Sequence, residues 1–280
     1  MVARILDGQA VAAQLLADVA ERAARFAARI GRAPTLATVL VGDDPASHTY
    51  VRMKQNRCRQ AGLESVRVEL GEGTTSEELV ERIAALAADP AIDGILLQHP
   101  VPDGVDEHAA FEAIGAAKDV DGVTLASFAA MSFSEPGFAS CTPGGIIRLL
   151  DAYELPLAGR HAVVVGRSRI LGKPVGMLLL ERDATVTFCH SRTLDLADRV
   201  AEADLVVAAV GRPELVRGEW IKLGAVVVDA GYNPGNVGDV EYAAAASRAS
   251  WITPVPGGVG PMTIATLLAQ TMDGAERRHG

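Results

Sequence analysis

The stretch of sequence that decides the fold is 163–174, which reads VVVGRSRILGKP. Three valines of high strand propensity lead into Gly166, and the residues from Gly172 onward read as the start of a helix. Gly166 allows a tight turn, and a second glycine lets the helix approach the sheet closely. Free N–H groups at such a helix start can bind a pyrophosphate. The stretch therefore predicts a nucleotide-binding turn, although Ser168 occupies the middle glycine position of G-x-G-x-x-G.

Strand-like and helix-like segments alternate on both sides of this turn. Apolar residues at helical spacing from Val11 to Ile30 predict a long first helix, and Thr75 with Glu78 offers a capping box for another. The runs that predict strands are Thr35–Val41, Val66–Leu70, Ile92–Gln98, Ala162–Val165, Thr185–Cys189, Leu205–Val210 and Ala225–Ala230. The predicted fold class is therefore α/β with a mostly parallel sheet, and ligands on such sheets lie beyond the carboxyl ends of the strands.

The secondary-structure pattern weakens between Gly122 and Ser140, and this weak stretch predicts a domain junction. The first predicted domain is 1–140 and the second, nucleotide-binding domain is 141–262. A last helix, 263–280, is expected to pack back on the first domain and complete it.

Composition excludes several classes of protein. A net charge of -9 argues against nucleic-acid binding, and no apolar run reaches the roughly 18 residues of a membrane span. The start of the chain has no signal-peptide pattern, and the three cysteines have no C-x-x-C spacing. These features predict a cytoplasmic protein with reduced thiols. No spacing of histidines and cysteines suggests a metal site.

The end of the strand Thr185–Cys189 helps to predict which nucleotide binds. NAD-binding proteins usually place an acid there for the ribose hydroxyls, whereas a 2′-phosphate needs basic or hydroxyl groups. Here Ser191 and Arg192 follow the strand, with no acid before Asp195. Arg192 and Arg167 are planar donors suited to a phosphate, so NADP is favoured over NAD. The alternative is that both arginines are merely solvated.

Tyr50 and Lys54 are four residues apart, so a helix places an aromatic ring and an amine on one surface. Such a pair can stack a flat ring and move a proton beside it, but it is more often an ordinary surface contact. Gln98 ends a predicted strand, and both Gln98 and the loop that leads to Tyr50 are expected beyond the carboxyl ends of the strands. Alone, Gln98 could simply cap the strand, and Asp121 could be a turn acid.

Six motifs in order give the chain its resemblance to the bifunctional methylenetetrahydrofolate dehydrogenase/methenyltetrahydrofolate cyclohydrolase family. They extend over nearly the full length and are YVRMK at 50–54, DGILLQ at 93–98, KDVDG at 118–122, CTP at 141–143, GRS at 166–168 and PVPGGVGPMT at 254–263. The resemblance implies two α/β domains that flank a cleft, the second Rossmann-like and binding NADP, in a homodimer built through the cofactor domains.

The resemblance also implies the chemistry. NADP takes a hydride from 5,10-methylenetetrahydrofolate to give the methenyl cation, which water opens to 10-formyltetrahydrofolate. The resemblance implies that Lys54 acts in proton transfer, that Tyr50 stacks on the folate, that Gln98 tunes or positions Lys54, and that Asp121 binds the pterin. The residues implied to form part of the folate cleft wall are Pro256, Gly258 and Val259, and those implied to meet the cofactor are Gly166, Arg167, Ser168, Ser191 and Arg192.

The chain departs from the family pattern near the folate residues. His99 stands where leucine is usual, Val123–Leu125 replaces an aromatic residue followed by His-Pro, and Ser140 stands where proline is usual. These departures put the balance of the two activities in question, so one alternative is a dehydrogenase with weak or no cyclohydrolase activity. A separate alternative is a non-catalytic regulator that binds NADP or folate, although the intact Tyr50, Lys54 and Gln98 argue against it.

Overall fold

A computed structural model gives the structure of residues 2–279, except for the side chains at positions 45–47, 49 and 50. The chain divides into two compact units. The six-stranded unit comprises residues up to 13, residues 131–135 and residues 140–263. The three-stranded unit comprises residues 14–130, residues 136–139 and the chain from 264 onward.

Helices and strands alternate, as the sequence predicts. In chain order they are β1 (Arg4–Ile5), α1 (Gly8–Ile30), β2 (Thr35–Val41), α2 (Pro45–Gln60), β3 (Glu64–Leu70), α3 (Ser76–Ala88), β4 (Gly94–Leu97), α4 (Glu107–Glu112), α5 (Leu125–Ser132), α6 (Cys141–Ala152), β5 (His161–Val165), α7 (Gly172–Glu181), β6 (Thr185–Cys189), α8 (Leu196–Ala201), β7 (Leu205–Ala208), a 3-10 turn (Gly218–Trp220), β8 (Val226–Asp229), α9 (Tyr242–Ala246), β9 (Trp251–Ile252) and α10 (Val259–His279).

The six-stranded unit has a sheet in the order β1-β9-β8-β7-β5-β6, and every pairing within it is parallel. The chain leaves β5 for β6 on one side and then crosses to β7 on the other. Helices that leave neighbouring strands in opposite directions open a crevice at the carboxyl ends of those strands. The apolar residues of β5 and β7 are buried, which accounts for the continuous rather than alternating hydrophobic pattern of these two strands.

The three-stranded unit repeats this arrangement on a smaller scale. Its sheet has the order β3-β2-β4 with parallel pairings, so the direction of winding reverses between β2 and β4. All of β2 and β4 is buried, and α3 packs its buried stripe of Leu79, Ile83 and Leu86 into the same core. The predicted α/β class with a mostly parallel sheet is confirmed.

Two short strands of the structure were not predicted from the sequence. β1 and β9 each contain two residues, which is too short for any hydrophobic period to be visible. They pair with each other, and β9 also pairs with β8, so the first thirteen residues group with the six-stranded unit rather than with the predicted first domain. The last helix groups with the three-stranded unit from Ile264 onward. It begins at Val259, four residues before the predicted start.

Helix starts show where capping was predictable. Thr75 and Glu78 form the predicted capping box in front of α3. Thr142-Pro143 in the sequence also predicts an N-cap and a first turn, but α6 begins at Cys141 and Ser140 occupies the N-cap without a side-chain hydrogen bond. Thr142 instead lies in the first turn, where its hydroxyl accepts a hydrogen bond from the Thr263 hydroxyl at 3.1 Å.

A buried carboxylate fixes the end of α10 within the three-stranded unit. Asp93 is fully buried in front of β4 and forms ion pairs with Arg32 (2.6 Å) and Arg278 (3.0 Å). It also accepts the Thr35 N–H at 2.8 Å. Burial acts to raise the pKa of Asp93, but the hydrogen bonds from Arg32, Thr35 and Arg278 lower it overall. Removal of one partner from such a buried group is costly, so this cluster ties β2, β4 and α10 together.

None of the helices within residues 2–279 combines the length and the apolar character needed to cross a bilayer.

Two further buried carboxylates shape the loops that follow β7 and β8. Asp239 accepts hydrogen bonds from the successive N–H groups of residues 210–212 at 2.6 to 2.9 Å. Asp229, the last residue of β8, accepts the N–H groups of Gly231, Asp239 and Val240, each at 2.9 Å. Because backbone N–H groups have no water to bond inside the protein, the two carboxylates determine the paths of both loops.

The pKa of Asp229 is raised to about 6. Burial is the main cause, the charge of Asp239 acts in the same direction, and the hydrogen bonds from backbone N–H groups act against them. A carboxyl group with a raised pKa binds its proton more tightly in the folded than in the unfolded chain. Its contribution to stability is therefore present at low pH and is lost as the pH rises through the folded pKa.

We expect Asp229→Asn to change the pH dependence of stability. Between about pH 4 and pH 6 the free energy of unfolding of the parent should lose on the order of 2 kcal/mol from this group, whereas the variant should lack that component. Urea unfolding of both proteins across this pH range measures the difference. Equal slopes for parent and variant contradict the assignment.

Candidate active site

Helix α2 brings Lys54 to the carboxyl end of β4. Val51 and Cys58 are fully buried two turns apart, so this face of the helix packs into the three-stranded unit. Lys54 lies one turn beyond Val51 and is half-buried, and its Nζ donates a hydrogen bond of 2.9 Å to Oε1 of Gln98. Gln98 directly follows β4, and its own N–H donates to the Val39 carbonyl of β2. The contact therefore lies where the winding of the small sheet reverses.

The orientation of the Gln98 amide is fixed by its second contact. Its Nε2 donates to the His99 carbonyl at 2.8 Å, so its Oε1 must be the atom that faces Lys54. An amide oxygen is a neutral acceptor, to which either an ammonium or an amine can donate. A carboxylate at the same place would favour the ammonium strongly and hold its proton. The pair can therefore hold Lys54 in one position without fixing its protonation state.

Two neighbours of this pair have structural roles. Cys58, one turn after Lys54 on α2, has its pKa raised to about 12 by burial, so its thiol stays protonated and inert. His99, where the chain departs from the family pattern, packs edge-on against Phe111 with ring centroids 6.4 Å apart. This departure changes a packing contact and leaves the Gln98 side chain bonded to the His99 backbone.

Asp121 lies on the segment between α4 and α5. It is half-buried, and among the described residues its carboxylate has no hydrogen-bond or ion-pair partner. Its neighbour Asp119 is the turn acid: it is fully buried and accepts the N–H groups of Val123 (3.1 Å) and Thr124 (2.9 Å). Burial raises the pKa of Asp119. Since these bonds go to the backbone, the altered side chains of Val123–Leu125 leave them intact.

Tyr50 lies on α2, one turn before Lys54, but its side chain is outside the described part of the structure. Its predicted stacking role stays a prediction.

The predicted cofactor turn has the geometry of a nucleotide loop. Gly166 follows β5 with φ of 133°, and a Cβ atom there would lie 2.1 Å from the Ala209 carbonyl oxygen at the end of β7. A Cβ atom on Gly172 would lie 2.6 Å from the Gly166 carbonyl. Both glycines are therefore required by close backbone approach at the winding reversal of the large sheet. Arg167 and Ser168 are exposed between them, as a phosphate-binding loop requires.

Ser168 also builds the start of α7. Its Oγ accepts the Gly172 N–H at 3.1 Å, and its carbonyl accepts the Lys173 N–H. The residue in the middle glycine position therefore shapes the loop through its hydroxyl. Direct contact between Ser168 and a cofactor stays a prediction.

Ser191 and Arg192 lie beside this loop, because β5 and β6 are adjacent and parallel and the Gly166 N–H donates to the Cys189 carbonyl. Both are exposed on a tight turn in which the His190 N–H donates to the Thr193 hydroxyl at 2.8 Å. The Arg192 N–H donates to Nδ1 of His190 at 3.1 Å, which fixes the backbone of this turn. The structure thus brings together the ends of β5 and β6 that carry the predicted cofactor residues.

The loop from Pro254 follows β9 and packs tightly on the start of α1. Gly258 donates to the Pro254 carbonyl at 2.9 Å, and a Cβ atom on Gly8 would lie 1.7 Å from the Gly258 carbonyl oxygen. Gly258 and Val259 are buried, whereas Pro256 is exposed. Part of the glycine content is therefore explained by packing of this loop within the six-stranded unit. The folate contacts predicted for Pro256, Gly258 and Val259 stay predictions.

Several residues that shape these sites were missed in the sequence. Asp119, Asp229 and Asp239 hold backbone N–H groups, and Gln270 on α10 bonds to carbonyls. Asp229 could have been identified from the sequence as a residue near a site, because an acid at the carboxyl end of a buried strand lies where ligands bind. Within residues 2–279, no group of three His, Cys, Asp or Glu side chains is placed to hold a metal ion.

Two family models match the chain. The model of the tetrahydrofolate dehydrogenase/cyclohydrolase catalytic domain matches residues 6–121. The model of the tetrahydrofolate dehydrogenase/cyclohydrolase NAD(P)-binding domain matches residues 140–279.

Similar proteins match over the same full length. The bifunctional protein FolD 1 of Salinispora arenicola is 69% identical over 280 residues, covering 100% of both chains. The structure of the bifunctional FolD enzyme of Campylobacter jejuni has a TM-score of 0.96 at 40% identity and covers 98% of this chain and 99% of that one. The FolD of Trypanosoma brucei, solved with NADP and an inhibitor, has a TM-score of 0.95 at 38% identity, with 100% and 99% covered.

These matches extend over both units and over every motif from which the resemblance was drawn, so the chain belongs to the tetrahydrofolate dehydrogenase/cyclohydrolase family.

Proposed function

We propose that this chain oxidises 5,10-methylenetetrahydrofolate with NADP and then hydrolyses the methenyl product to 10-formyltetrahydrofolate, using Lys54 for the proton transfers of hydrolysis. The observation that carries the proposal is the 2.9 Å hydrogen bond between Lys54 Nζ and Gln98 Oε1 at the carboxyl end of β4. A non-catalytic binder of folate has no need of an amine held by a neutral acceptor. Family membership supports both reactions on one chain.

The oxidation moves a hydride from the methylene carbon to NADP, which yields NADPH and the methenyl cation. The cofactor supplies this chemistry when bound, and the protein has to hold two rings in contact. Gly166 and Gly172 allow the close backbone approach that such a nucleotide loop needs. NADP is the cofactor, and the exposed Arg167, Ser191 and Arg192 are the groups that we assign to its 2′-phosphate.

The hydrolysis adds water to the methenyl carbon, opens one carbon–nitrogen bond and releases one proton. Lys54 as an amine can take a proton from the attacking water, and as an ammonium it can return one to the departing nitrogen. Gln98 holds the nitrogen of Lys54 in place in either state because its oxygen is uncharged. The positive charge of the substrate favours the neutral amine, which is the form required at the start.

The remaining roles follow the family. We assign Tyr50 to stacking on the folate, and the half-buried Asp121 to paired hydrogen bonds from the amino and N–H edge of the pterin. The 256–259 segment is assigned to folate contacts. We also propose that the protein is cytoplasmic and forms a homodimer, for which β6, an edge strand of the large sheet, is available for pairing. We propose in addition that it supplies one-carbon units for purine synthesis.

We expect Lys54→Met to lower the cyclohydrolase rate by at least about 100-fold, because no other group is assigned to the proton transfers. The affinity for NADP should stay within about twofold, since Lys54 and the cofactor loop belong to different units. Decay of the methenyl absorbance measures hydrolysis, and fluorescence titration measures NADP binding. Lys222→Met, which removes an exposed lysine paired with Asp204, is the matched control. Normal hydrolysis by Lys54→Met removes this residue from the mechanism.

We expect Arg192→Ala to raise the KM for NADP by about 10- to 100-fold while the KM for NAD changes little, since only NADP carries the 2′-phosphate. Steady-state kinetics with both cofactors at fixed folate measure the two values. Arg182→Ala is the control, because that arginine is exposed in the same unit and pairs with Asp151. An equal rise for both cofactors, or none, contradicts the phosphate assignment.

A further inference from the structure

Gln270 is a buried amide on α10, within the three-stranded unit. Its Nε2 donates to two backbone carbonyls, Val120 at 2.8 Å and Ala139 at 2.9 Å. A terminal amide nitrogen carries two N–H groups and no charge, so it can satisfy two converging carbonyls without burial of an ion. A lysine there would bring a charge, and a carboxylate would bring only acceptors.

Val120 directly precedes Asp121, and the segment around it is held from several directions. The Ile95 N–H of β4 donates to the Lys118 carbonyl, and the Asp119 carboxylate holds the N–H groups of Val123 and Thr124. Gly94 leaves the room for this segment, because a Cβ atom there would lie 2.7 Å from Val120 Cγ2. Gln270 contributes the contact immediately next to Asp121.

The Asp121 side chain differs from the surrounding backbone in its hydrogen bonding. Its half-buried carboxylate has no bonded partner among the side chains and backbone groups that the structure describes, although the backbone on both sides of it is fixed. A carboxylate that must meet two donors of a planar ring needs an accurate orientation, and a small displacement weakens both bonds. Rigid support without a direct partner is what a preorganised ligand contact requires.

We infer that Gln270 is a positioning residue for folate binding, which acts through the Val120 carbonyl to orient the Asp121 carboxylate. This inference rests on the proposed role of Asp121 as the pterin contact. Gln270 touches neither substrate nor cofactor in this account. Its effect should therefore fall on the KM for folate and leave the turnover number and the cofactor site unchanged.

The first test is Gln270→Leu, which keeps the approximate volume and removes both donors. The KM for methylenetetrahydrofolate should rise roughly fivefold, the effect of one lost hydrogen bond, with kcat and the KM for NADP within about twofold. The control is Thr271→Val on the same helix, because the buried Thr271 hydroxyl donates at 2.8 Å to the Leu267 carbonyl of that helix. A similar loss of stability without a change in the KM for folate is expected of the control. An unchanged KM for folate in folded Gln270→Leu overturns the inference.

The second test, Gln270→Glu, provides a readout that general destabilisation does not give. A carboxylate between two carbonyls repels them, whereas the protonated acid can donate one hydrogen bond, and burial moves that titration towards neutral pH. Between about pH 8 and about pH 6 the ratio of the folate KM of the variant to that of the parent should fall. A ratio that is constant with pH contradicts the positioning role. Gln270→Glu also tests the positioning role if Gln270→Leu fails to fold.

A double-mutant cycle separates this inference from the proposed function. Asp121→Ala alone should raise the KM for folate, and an unchanged value means that the proposed role of Asp121 is wrong. In the Asp121→Ala background, Gln270→Leu should have little additional effect, because the side chain that it orients is gone. Additive effects of the two changes show that Gln270 does not act through Asp121, while the proposed function stands.

Discussion

The constraint on which the rest of the structure depends is the reversal of winding in two parallel sheets. Helices and loops that leave neighbouring strands on opposite sides cannot cover the space beyond the carboxyl ends of those strands. In the large sheet this reversal lies between β5 and β7, where Gly166 meets the Ala209 carbonyl. In the small sheet it lies between β2 and β4, where Lys54 meets Gln98. Both candidate sites follow from topology before any catalytic residue is considered.

Buried and exposed polar groups have different roles in this structure, according to where they lie. Fully buried carboxylates, such as Asp119 and Asp239, are bonded to backbone N–H groups and determine the shapes of loops. Neutral amides, Gln98 and Gln270, hold a neighbouring group without adding charge to the interior. Of the groups assigned to ligands, Asp121 lies on a loop supported in this way, whereas the exposed Arg192 lies on a turn held by His190 and Thr193. Around Asp121, the residues that support the loop differ from the residue assigned to the ligand, so substitutions can separate stability from binding.

Much of the fold was predictable because its strands are continuous apolar runs between helical stripes, and β2 and β6 match their predicted bounds. The strands β1 and β9 were not predictable, because two residues are too few to show a hydrophobic period. Their pairing also joins distant parts of the chain. Spacing and strand ends marked Lys54 and Gln98 only as candidates, and their roles were predicted from the family resemblance; the structure joins the two side chains by a hydrogen bond. Gln270 was not predictable, because a lone glutamine on an amphipathic helix gives no sign of the carbonyls that it meets in the folded chain.

The most direct test of the account is a single time course with purified protein, methylenetetrahydrofolate and NADP, in which NADPH, the methenyl cation and 10-formyltetrahydrofolate are followed separately. The account predicts that NADPH and the 10-formyl product rise together, with hydrolysis faster than the uncatalysed reaction. NADPH formation with a methenyl intermediate that decays only at the uncatalysed rate would contradict the role given to Lys54 and Gln98. Absence of NADPH would contradict the oxidation as well.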